Sequence, residues 1–344
     1  MRIVLVLALA LSTTGCPLGD DDGDPANYVA IDQIPAAYKD AYCTYLASCG
    51  VFPDKAACLG AEISIAYHID PNIAYAAATG ALIYNGSNVK ACFDALAQRS
   101  CDRTSQSART TTTACRDFVR GTLASGERCT IDHECISQRC AGGSTTTTCS
   151  MGTCVGDTPP DLRPAQIGER CTTVPGCADG LYCDTFDDTC TTLKTGGMAC
   201  TVSSECGYGL GCIGATGERT CEPLPGEGQP CPDFMCRDDG MYCDSTTGTC
   251  AKVGLPPSTC TSSSQCSQYY PCNFTTGQCT QGPGLGQPCS ASSRCFAAGT
   301  YCDSATLMCE SLKADGAPCS SSTECASVQC DFATGRCESP ATCF

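Results

Sequence analysis

Apolar residues are arranged along the chain in three different ways. Residues 3–11 are all apolar and follow one arginine, which is typical of a secretory signal peptide too short to span a bilayer as a helix. Between residues 35 and 121, apolar side chains such as Tyr38, Tyr42 and Tyr45 recur at helical spacing. Helices are predicted over residues 35–48, 53–65, 71–78, 87–99 and 114–120. In the remainder of the chain, short apolar groups beside cysteines predict short β-strands.

This remainder is a tandem repeat with a period of about 30 residues. A unit contains four cysteines spaced near Cys-x5-Cys-x5-Cys-x6-Cys, and a glycine stands three residues before the first cysteine in every unit except one, which has Pro257. The end of a unit, seen most plainly in residues 242–250, reads Tyr-Cys-Asp, then a Thr-Thr-Gly turn, then a last cysteine. This order predicts a β-hairpin whose glycine takes a positive φ. The first cysteines of repeats 1 to 7 are Cys129, Cys171, Cys200, Cys231, Cys260, Cys289 and Cys319.

Cysteine usage indicates an oxidising compartment and a fold held by disulfides. The chain has 37 cysteines in 344 residues, and units this small cannot bury enough apolar surface to fold without covalent links. Each disulfide typically stabilises a fold by about 2–4 kcal/mol. We predict bonds from first to third and from second to fourth cysteine: Cys171–Cys183, Cys177–Cys190, Cys231–Cys243, Cys236–Cys250, Cys289–Cys302 and Cys295–Cys309.

The remaining cysteines leave their pairing open. The helical domain has six, which allow fifteen connectivities: Cys43, Cys49, Cys58, Cys92, Cys101 and Cys115. Cys149 and Cys343 lie outside the four-cysteine frame. They pair with each other if the array folds back. Otherwise they belong to a local rearrangement or are thiols available for cross-linking.

The repeat resembles a known kind of module. Its pattern, Gly-x-x-Cys-x5-Cys-x4–6-Cys-Asp-x-x-Thr-Gly-x-Cys over residues 126–344, is similar to the cysteine-rich repeats of bacterial surface proteins described as Dickkopf N-terminal cysteine-rich-like. The helical domain, with Cys49-Gly50 at a helix junction and Cys-Phe-Asp-Ala-Leu in a later helix, resembles the N-terminal region of the same bacterial lipoproteins. The resemblance implies an extracellular disulfide module with no assigned activity.

The apolar segment ends in Thr-Thr-Gly-Cys, which resembles a bacterial lipobox. In such a protein Cys16 is acylated and becomes the mature N-terminus, and its acyl chains anchor the protein to a membrane. The alternative is ordinary signal-peptidase cleavage and secretion. Pro17 after the anchor cysteine favours sorting to the outer membrane, so the expected location is the extracellular face of a bacterial envelope.

The predicted fold class is small and disulfide-rich, with an N-terminal all-α disulfide-stapled domain followed by a tandem array of short β-hairpin cysteine knots. Modules joined in line contact mainly their neighbours, so we expect an elongated array. The predicted divisions are a signal peptide (1–16), an acidic tether (17–34), a helical six-cysteine domain (35–121), repeat 1 (122–155), a proline-rich linker (156–166) and repeats 2–7 (167–344).

Charge and composition disfavour several classes of partner. The net charge of −16 argues against nucleic acid and against electrostatic docking on anionic lipid. Tryptophan is absent and aromatic residues make up 6 % of the chain, so no large stacking platform of the kind used for sugars or bases is evident. A reduced, metal-binding chain is disfavoured because no Cys-x2-Cys pair occurs and only two histidines are present. We predict no metal and no cofactor.

Candidate catalytic groups are few. His68 and His133 could act as general bases, but no hydrolase, metalloprotease or phosphate-binding motif accompanies them, so a surface or packing role is favoured. Asp187-Asp188 and Asp238-Asp239 could hold calcium weakly. They lack the spacing of an EF-hand loop, which favours solvated charge pairs.

One set of aromatic residues recurs at the same place in the repeat. Tyr182, Tyr242 and Tyr301 each precede the third cysteine of a unit. They could line a recurring contact face, or they could pack over the disulfides of their own unit.

Taken together, these features favour a non-catalytic cell-surface lipoprotein of a Gram-negative bacterium that adheres to, or binds, an extracellular protein or polysaccharide. One alternative is a protease-inhibitor-like protein, since small disulfide-stapled units with exposed loops can plug protease clefts. A second alternative is an enzyme housed in the helical domain.

Overall fold

The computed structural model describes residues 27–61, 71–102, 115, 118–142, 150–159, 163–171, 177–178, 180–184, 186–290 and 295–338. The predicted signal peptide and most of the tether lie outside these residues, as do Cys16, His68, Cys149 and Cys343. Within the described ranges, no helix is both long enough and apolar enough to cross a membrane.

The N-terminal region is built from four α-helices: α1 (Ile34–Ser48), α2 (Lys55–Leu59), α3 (Pro71–Ala78) and α4 (Gly86–Ala97). Asp54 and Asn85 begin α2 and α4, because each side chain accepts a hydrogen bond from a backbone N–H in the first turn. Helix α4 therefore begins at Gly86, one residue before the predicted start at residue 87. The buried residues between α1 and α4 are Val29, Ile34, Ala41, Val89 and Phe93.

The prediction of a helix over residues 114–120 is wrong where the segment is described. Strand β1 (Leu82–Tyr84) pairs antiparallel with strand β2 (Val119–Gly121). Leu82 and Val119 are buried together with Ala76 of α3, and this packing favours the extended conformation of a β-branched residue. The N-terminal region is therefore mainly helical rather than all-α.

Each repeat contributes a small antiparallel sheet. Repeat 1 forms a three-stranded sheet from β3 (Arg128–Cys129), β4 (Cys140–Ala141) and β5 (Gly152–Cys154). The other repeats form two-stranded hairpins: β6 (Leu181–Asp184) with β7 (Thr189–Thr192), β8 (Leu210–Ile213) with β9 (Thr220–Pro223), β10 (Met241–Asp244) with β11 (Thr249–Lys252), β12 (Cys272–Asn273) with β13 (Gln278–Cys279), β14 (Thr300–Cys302) with β15 (Cys309–Ser311), and β16 (Cys330–Asp331) with β17 (Arg336–Cys337).

Disulfides replace the apolar core that these hairpins lack. In every repeat the first cysteine is bonded to the third and the second to the fourth, which is the order assumed above for repeats 2, 4 and 6. Cys243 and Cys250 face each other across the hairpin, but each bonds to a cysteine that precedes the hairpin. The helical region has the bonds Cys43–Cys58, Cys49–Cys101 and Cys92–Cys115. So many disulfides are typical of an extracellular or secreted protein.

In every repeat except repeat 5, the glycine three residues before the first cysteine hydrogen-bonds to the backbone of the last cysteine of the same unit. Gly228 has a φ of 75°, and its N–H donates to the carbonyl oxygen of Cys250 at 2.7 Å. The same bond joins Gly316 to Cys337 at 2.7 Å. Glycine is favoured at these positions because it adopts a positive φ without steric strain. Pro257, which has no N–H, cannot make this bond in repeat 5.

Candidate ligand-binding cleft

The end of α1 and the loop after it pack against repeats that lie far away in the chain. The ring of Phe52 stacks on Tyr269 of repeat 5, with centroids 4.8 Å apart. Tyr270 in turn packs against Phe296 of repeat 6 at 5.3 Å. All four rings belong to one apolar cluster with the Cys43–Cys58 disulfide. The expectation that each module contacts mainly its neighbours is therefore wrong for repeats 5 and 6.

Hydrogen bonds reinforce this long-range packing. The hydroxyl of Ser267, which is 2 % exposed, donates to the carbonyl of Val51 at 2.7 Å. The N–H of Asp239 in repeat 4 donates to the carbonyl of Cys101 at 3.0 Å. Buried polar groups that are paired in this way hold two surfaces in one relative orientation. The helical region and repeats 4 to 6 thus form one packed unit.

A cleft of about 580 Å³ lies where α1 meets repeats 4 and 5. This volume is within the range of small-molecule sites in proteins. Apolar side chains line part of it, including Leu46 and Met241. Its principal polar and aromatic lining residues are Tyr42, Tyr45, Arg99, Asp239, Tyr242 and Ser264.

One wall of the cleft contains a cation, an aromatic ring and a carboxylate in series. The guanidinium carbon of Arg99 lies 4.7 Å from the centre of the Tyr45 ring, close enough for a cation–π interaction. The hydroxyl of Tyr45 donates to Oδ2 of Asp239. Among the described residues, Nε and Nη2 of Arg99 are buried and have no hydrogen-bond partner.

The two tyrosines that repeat 5 contributes to the apolar cluster, Tyr269 and Tyr270, stay uncharged. Burial raises the pKa of Tyr270 to about 12. Burial, together with the neighbouring Tyr42, also raises the pKa of Tyr269 above its ordinary value. Both hydroxyls therefore remain protonated at physiological pH, and the charged groups described in the cleft wall are those of Arg99 and Asp239.

The three tyrosines of the possible contact face have different environments. Tyr182 and Tyr301 are 9 % and 6 % exposed, so they do not form an exposed face. Lys313, from the connection into repeat 7, places Nζ 5.3 Å from the centre of the Tyr301 ring. Tyr242 is half-buried and lines the cleft. Tyr182 lies close enough to Lys194, from the connection into repeat 3, to feel its charge. Tyr182 and Tyr301 thus lie at junctions between repeats, and Tyr242 belongs to the cleft.

These junctions contain ion pairs that the sequence interpretation missed. Lys194 Nζ lies 2.6 Å from Glu205 Oε2, and Lys313 Nζ lies 2.5 Å from Glu324 Oε2. Both glutamates are buried. The available signal was a lysine six residues before the first cysteine together with a glutamate five residues after it, a combination found in repeats 3 and 7.

The other candidate residues that the structure describes do not assemble into a site. His133 is exposed in repeat 1, outside the residues that line the cleft. Asp187 is exposed, whereas Asp238 and Asp239 face the helical region: Asp238 pairs through its backbone with Asp102. Groups of cysteine sulfurs lie within 4.8 Å of one another. Their members are disulfide-bonded, so these sulfurs are not thiolate ligands.

The cleft was missed because its parts are far apart in the sequence. Tyr45 and Asp239 are separated by 194 residues, and Val51 and Ser267 by 216. Comparisons of the chain with protein-family models, curated proteins and solved structures give no match. The function must therefore be inferred from the residues of the cleft and of the disulfide frame.

Proposed function

We propose that this chain is a cell-surface lipoprotein that binds an extracellular ligand without transforming it, at the cleft between the helical region and repeats 4 and 5. The observation that carries the proposal is the cleft itself, which has a volume of about 580 Å³ and brings together Arg99, Asp239 and several tyrosines. An N-terminal acyl chain on Cys16 would anchor it to the outer membrane. The seven repeats would form a tandem array of Dickkopf-like cysteine knots, and repeats 4 and 5 of that array supply one side of the cleft.

The cleft is suited to binding because disulfides hold its walls. On one side the Cys49–Cys101 bond joins the end of α1 to the segment after α4. On the other side Cys266, a lining residue, is bonded to Cys279. A site whose walls are fixed before binding loses little conformational entropy when the ligand arrives. A rigid framework of this kind favours recognition over large movements.

The lining residues favour binding over catalysis. Ser267 donates its hydroxyl proton to the carbonyl of Val51, and Cys266 is in a disulfide, so neither is an activated nucleophile. Among the described lining residues there is no histidine that could serve as a base. Nucleophilic catalysis needs a nucleophile and a base within hydrogen-bond reach.

The first experiment addresses the anchor. Cells expressing the chain are fractionated after labelling with radioactive palmitate, and the wild type is compared with Cys16→Ser. The proposal expects labelled wild-type protein in the outer membrane and unlabelled variant protein outside it. Equal distribution of both proteins, without label, would contradict the lipoprotein assignment.

The second experiment addresses the cleft. Ser264 is an exposed lining residue of repeat 5, and Ser204 is the exposed residue at the same position of repeat 3, which does not contribute to the cleft. Ser264→Trp should block the cleft and reduce binding of intact cells to a panel of immobilised extracellular glycans and proteins, while Ser204→Trp should not. Equal binding by the two variants would rule out the cleft as the binding site.

Protease inhibition is a second candidate because some hairpin tips expose an aromatic side chain. Phe186, Phe274 and Phe332 are 94 %, 69 % and 74 % exposed in turns flanked by disulfide-bonded cysteines. A constrained loop with a protruding phenylalanine fits the specificity pocket of a protease that prefers aromatic residues. Repeat 4 has Ser245 where repeat 5 has Phe274. This role predicts inhibition of chymotrypsin-like proteases by the full chain and its loss in a variant with all three phenylalanines replaced by serine.

A further inference from the structure

We propose that the cleft binds a short acidic saccharide whose single carboxylate is held by Arg99. This assignment rests on the proposed function and adds the chemical class of the ligand. Its basis is a guanidinium with two nitrogens left unsatisfied by the described residues, placed among tyrosine rings and groups that can form hydrogen bonds with hydroxyls.

Arg99 is the cleft residue whose side chain lacks hydrogen-bond acceptors in the described part of the chain, and its positive charge favours an anionic acceptor. Its Nε and Nη2 are buried without hydrogen-bond partners among the described residues, although the Tyr45 ring covers one side of the guanidinium. A buried donor that has lost water and gained no acceptor is unfavourable. Both nitrogens lie against protein in this structure, so binding of this kind requires the Arg99 side chain to rotate toward the cleft while the disulfide-bonded backbone of the walls stays in place. A carboxylate then accepts two parallel hydrogen bonds from the guanidinium.

The rest of the wall fits a hydroxylated ring. Tyr42 and Tyr242 are half-buried and line the cleft. A tyrosine ring has an apolar face and a polar edge, which suits the C–H groups on the face of a pyranose. Asp239, Ser264 and Gln268 also line the cleft and supply acceptors and donors for hydroxyl groups.

Charge and size limit the ligand further. The cleft volume of about 580 Å³ leaves room for more than a simple inorganic anion. The net charge of −16 repels polyanions, and the carboxylate of Asp239 stands in the same wall as Arg99. A ligand with one negative charge and an otherwise neutral, hydroxyl-rich body satisfies both the limit on size and the limit on negative charge.

The test is calorimetric titration of the full, disulfide-bonded chain with glucuronic acid, compared with neutral glucose and with two other small anions, glutamate and inorganic phosphate. We expect a dissociation constant for glucuronate below about 1 mM, and binding of the other three probes that is at least about tenfold weaker. Arg99→Gln should weaken glucuronate binding by about tenfold or more. Arg336→Gln, an equal change of charge at an exposed arginine of repeat 7, should leave it unchanged.

Each remaining outcome contradicts a defined part of the proposal. Equal affinity for glucose and glucuronate, or wild-type affinity in Arg99→Gln, overturns the role of the carboxylate. Tighter binding of glutamate or phosphate overturns the saccharide. In both cases the proposed function stands. If no probe binds, the acidic saccharide is overturned. The proposed function is tested separately by the cells that express Ser264→Trp or Ser204→Trp. It is overturned as well only if both kinds of cell bind equally to the panel of immobilised extracellular glycans and proteins.

Discussion

Glu205 in repeat 3 and Gln265 in repeat 5 make the same backbone contact from the same position. Each stands five residues after the first cysteine of its unit. Glu205 accepts a hydrogen bond from the N–H of Thr201 at 3.0 Å, and Gln265 accepts one from the N–H of Thr261 at 2.6 Å. Lys194 binds Glu205 from the preceding connection, whereas Gly254 is the corresponding residue before repeat 5. The side chain therefore shapes the loop in both repeats, and the ion pair is an addition in repeat 3.

From this comparison, we expect Glu205→Gln to destabilise the junction before repeat 3 less than Glu205→Ala does. The glutamine keeps an oxygen for the N–H of Thr201 and loses the ion pair, which is worth about 1 kcal/mol or less. The alanine leaves that N–H and the Lys194 ammonium unpartnered, at a cost of about 1–3 kcal/mol. The check is the free energy of local opening from native-state hydrogen exchange at the amides of Thr201 and Gly207. Equal effects of the two variants would show that the ion pair, and not the loop contact, stabilises the junction.

The same junctions should respond to pH. Burial of Glu205 opposes ionisation, but hydrogen bonds from Lys194 and Thr201 outweigh it and lower the pKa below the ordinary 4.5. The hydrogen bond to Glu205 raises the pKa of Lys194 above 10.5. The glutamate contribution to stability is therefore present above about pH 4.5 and lost as pH falls through its lowered pKa. The lysine contribution is present below pH 10.5 and lost as pH rises through its raised pKa.

Repeat 5 provides an internal control for this pH dependence. Gln265 does not titrate, so the junction between repeats 4 and 5 should keep its hydrogen-exchange protection while the junctions at Glu205 and Glu324 lose theirs below pH 4.5. Equal loss at all three junctions would indicate general acid unfolding. The ion pairs would then not be the cause of the lost hydrogen-exchange protection.

Much of the repeat could be predicted from the sequence because its determinants are local. The cysteine spacing and the Thr-Thr-Gly turns indicated hairpins, and the turn glycine Gly248 has the predicted positive φ, at 67°. The three-residue strand β2 was mistaken for a helix because a segment that short shows no clear periodicity. Its pairing with β1 depends on a partner more than 30 residues away.

The cleft could not be predicted because its contacts are non-local. Phe52, Tyr269 and Phe296 each stand in a short apolar group, and nothing in those groups shows that they pack in one cluster. Nothing in the sequence around Arg99 indicates that its guanidinium is buried beside Tyr45. Only the folding of the array onto the helices brings these residues together.

Arg99→Met should make the protein more stable. Methionine removes two buried, unpartnered nitrogen donors, whose desolvation is worth about 1–3 kcal/mol. The lost cation–π contact with Tyr45 is worth about 0.5–2 kcal/mol, and the new sulfur–aromatic contact recovers about 0.3–1.5 kcal/mol. The expected result is a higher Tm in thermal unfolding monitored by circular dichroism, together with weaker glucuronate binding.

A matched variant separates the stabilisation expected for Arg99→Met from any stabilisation that follows from losing one positive charge. Arg336 is exposed, and its Nη1 donates to the carbonyl of Gly316. Arg336→Met should therefore leave the Tm unchanged or lower it. A lower Tm for Arg99→Met would mean that the guanidinium contributes to folding, and the stability cost assigned to it would be wrong.

Gly240→Ala should separate repeat 4 from the helical region. A Cβ at residue 240 would overlap the carbonyl oxygen of Cys49. The oxygen is a backbone atom and the position of the Cβ is fixed by its own backbone, so a rotamer change cannot relieve the overlap. The strain should cost about 2 kcal/mol or more. It should be seen as faster hydrogen exchange at the amide of Asp239, which donates to Cys101. The control is Gly284→Ala, since a Cβ there meets no atom within 4 Å.

Because the cleft needs this contact between the two parts of the chain, Gly240→Ala should also weaken ligand binding while the disulfides of repeat 4 stay intact. Unchanged exchange at Asp239 would mean that repeat 4 does not pack against α1 in solution, and the cleft would then have no wall on that side.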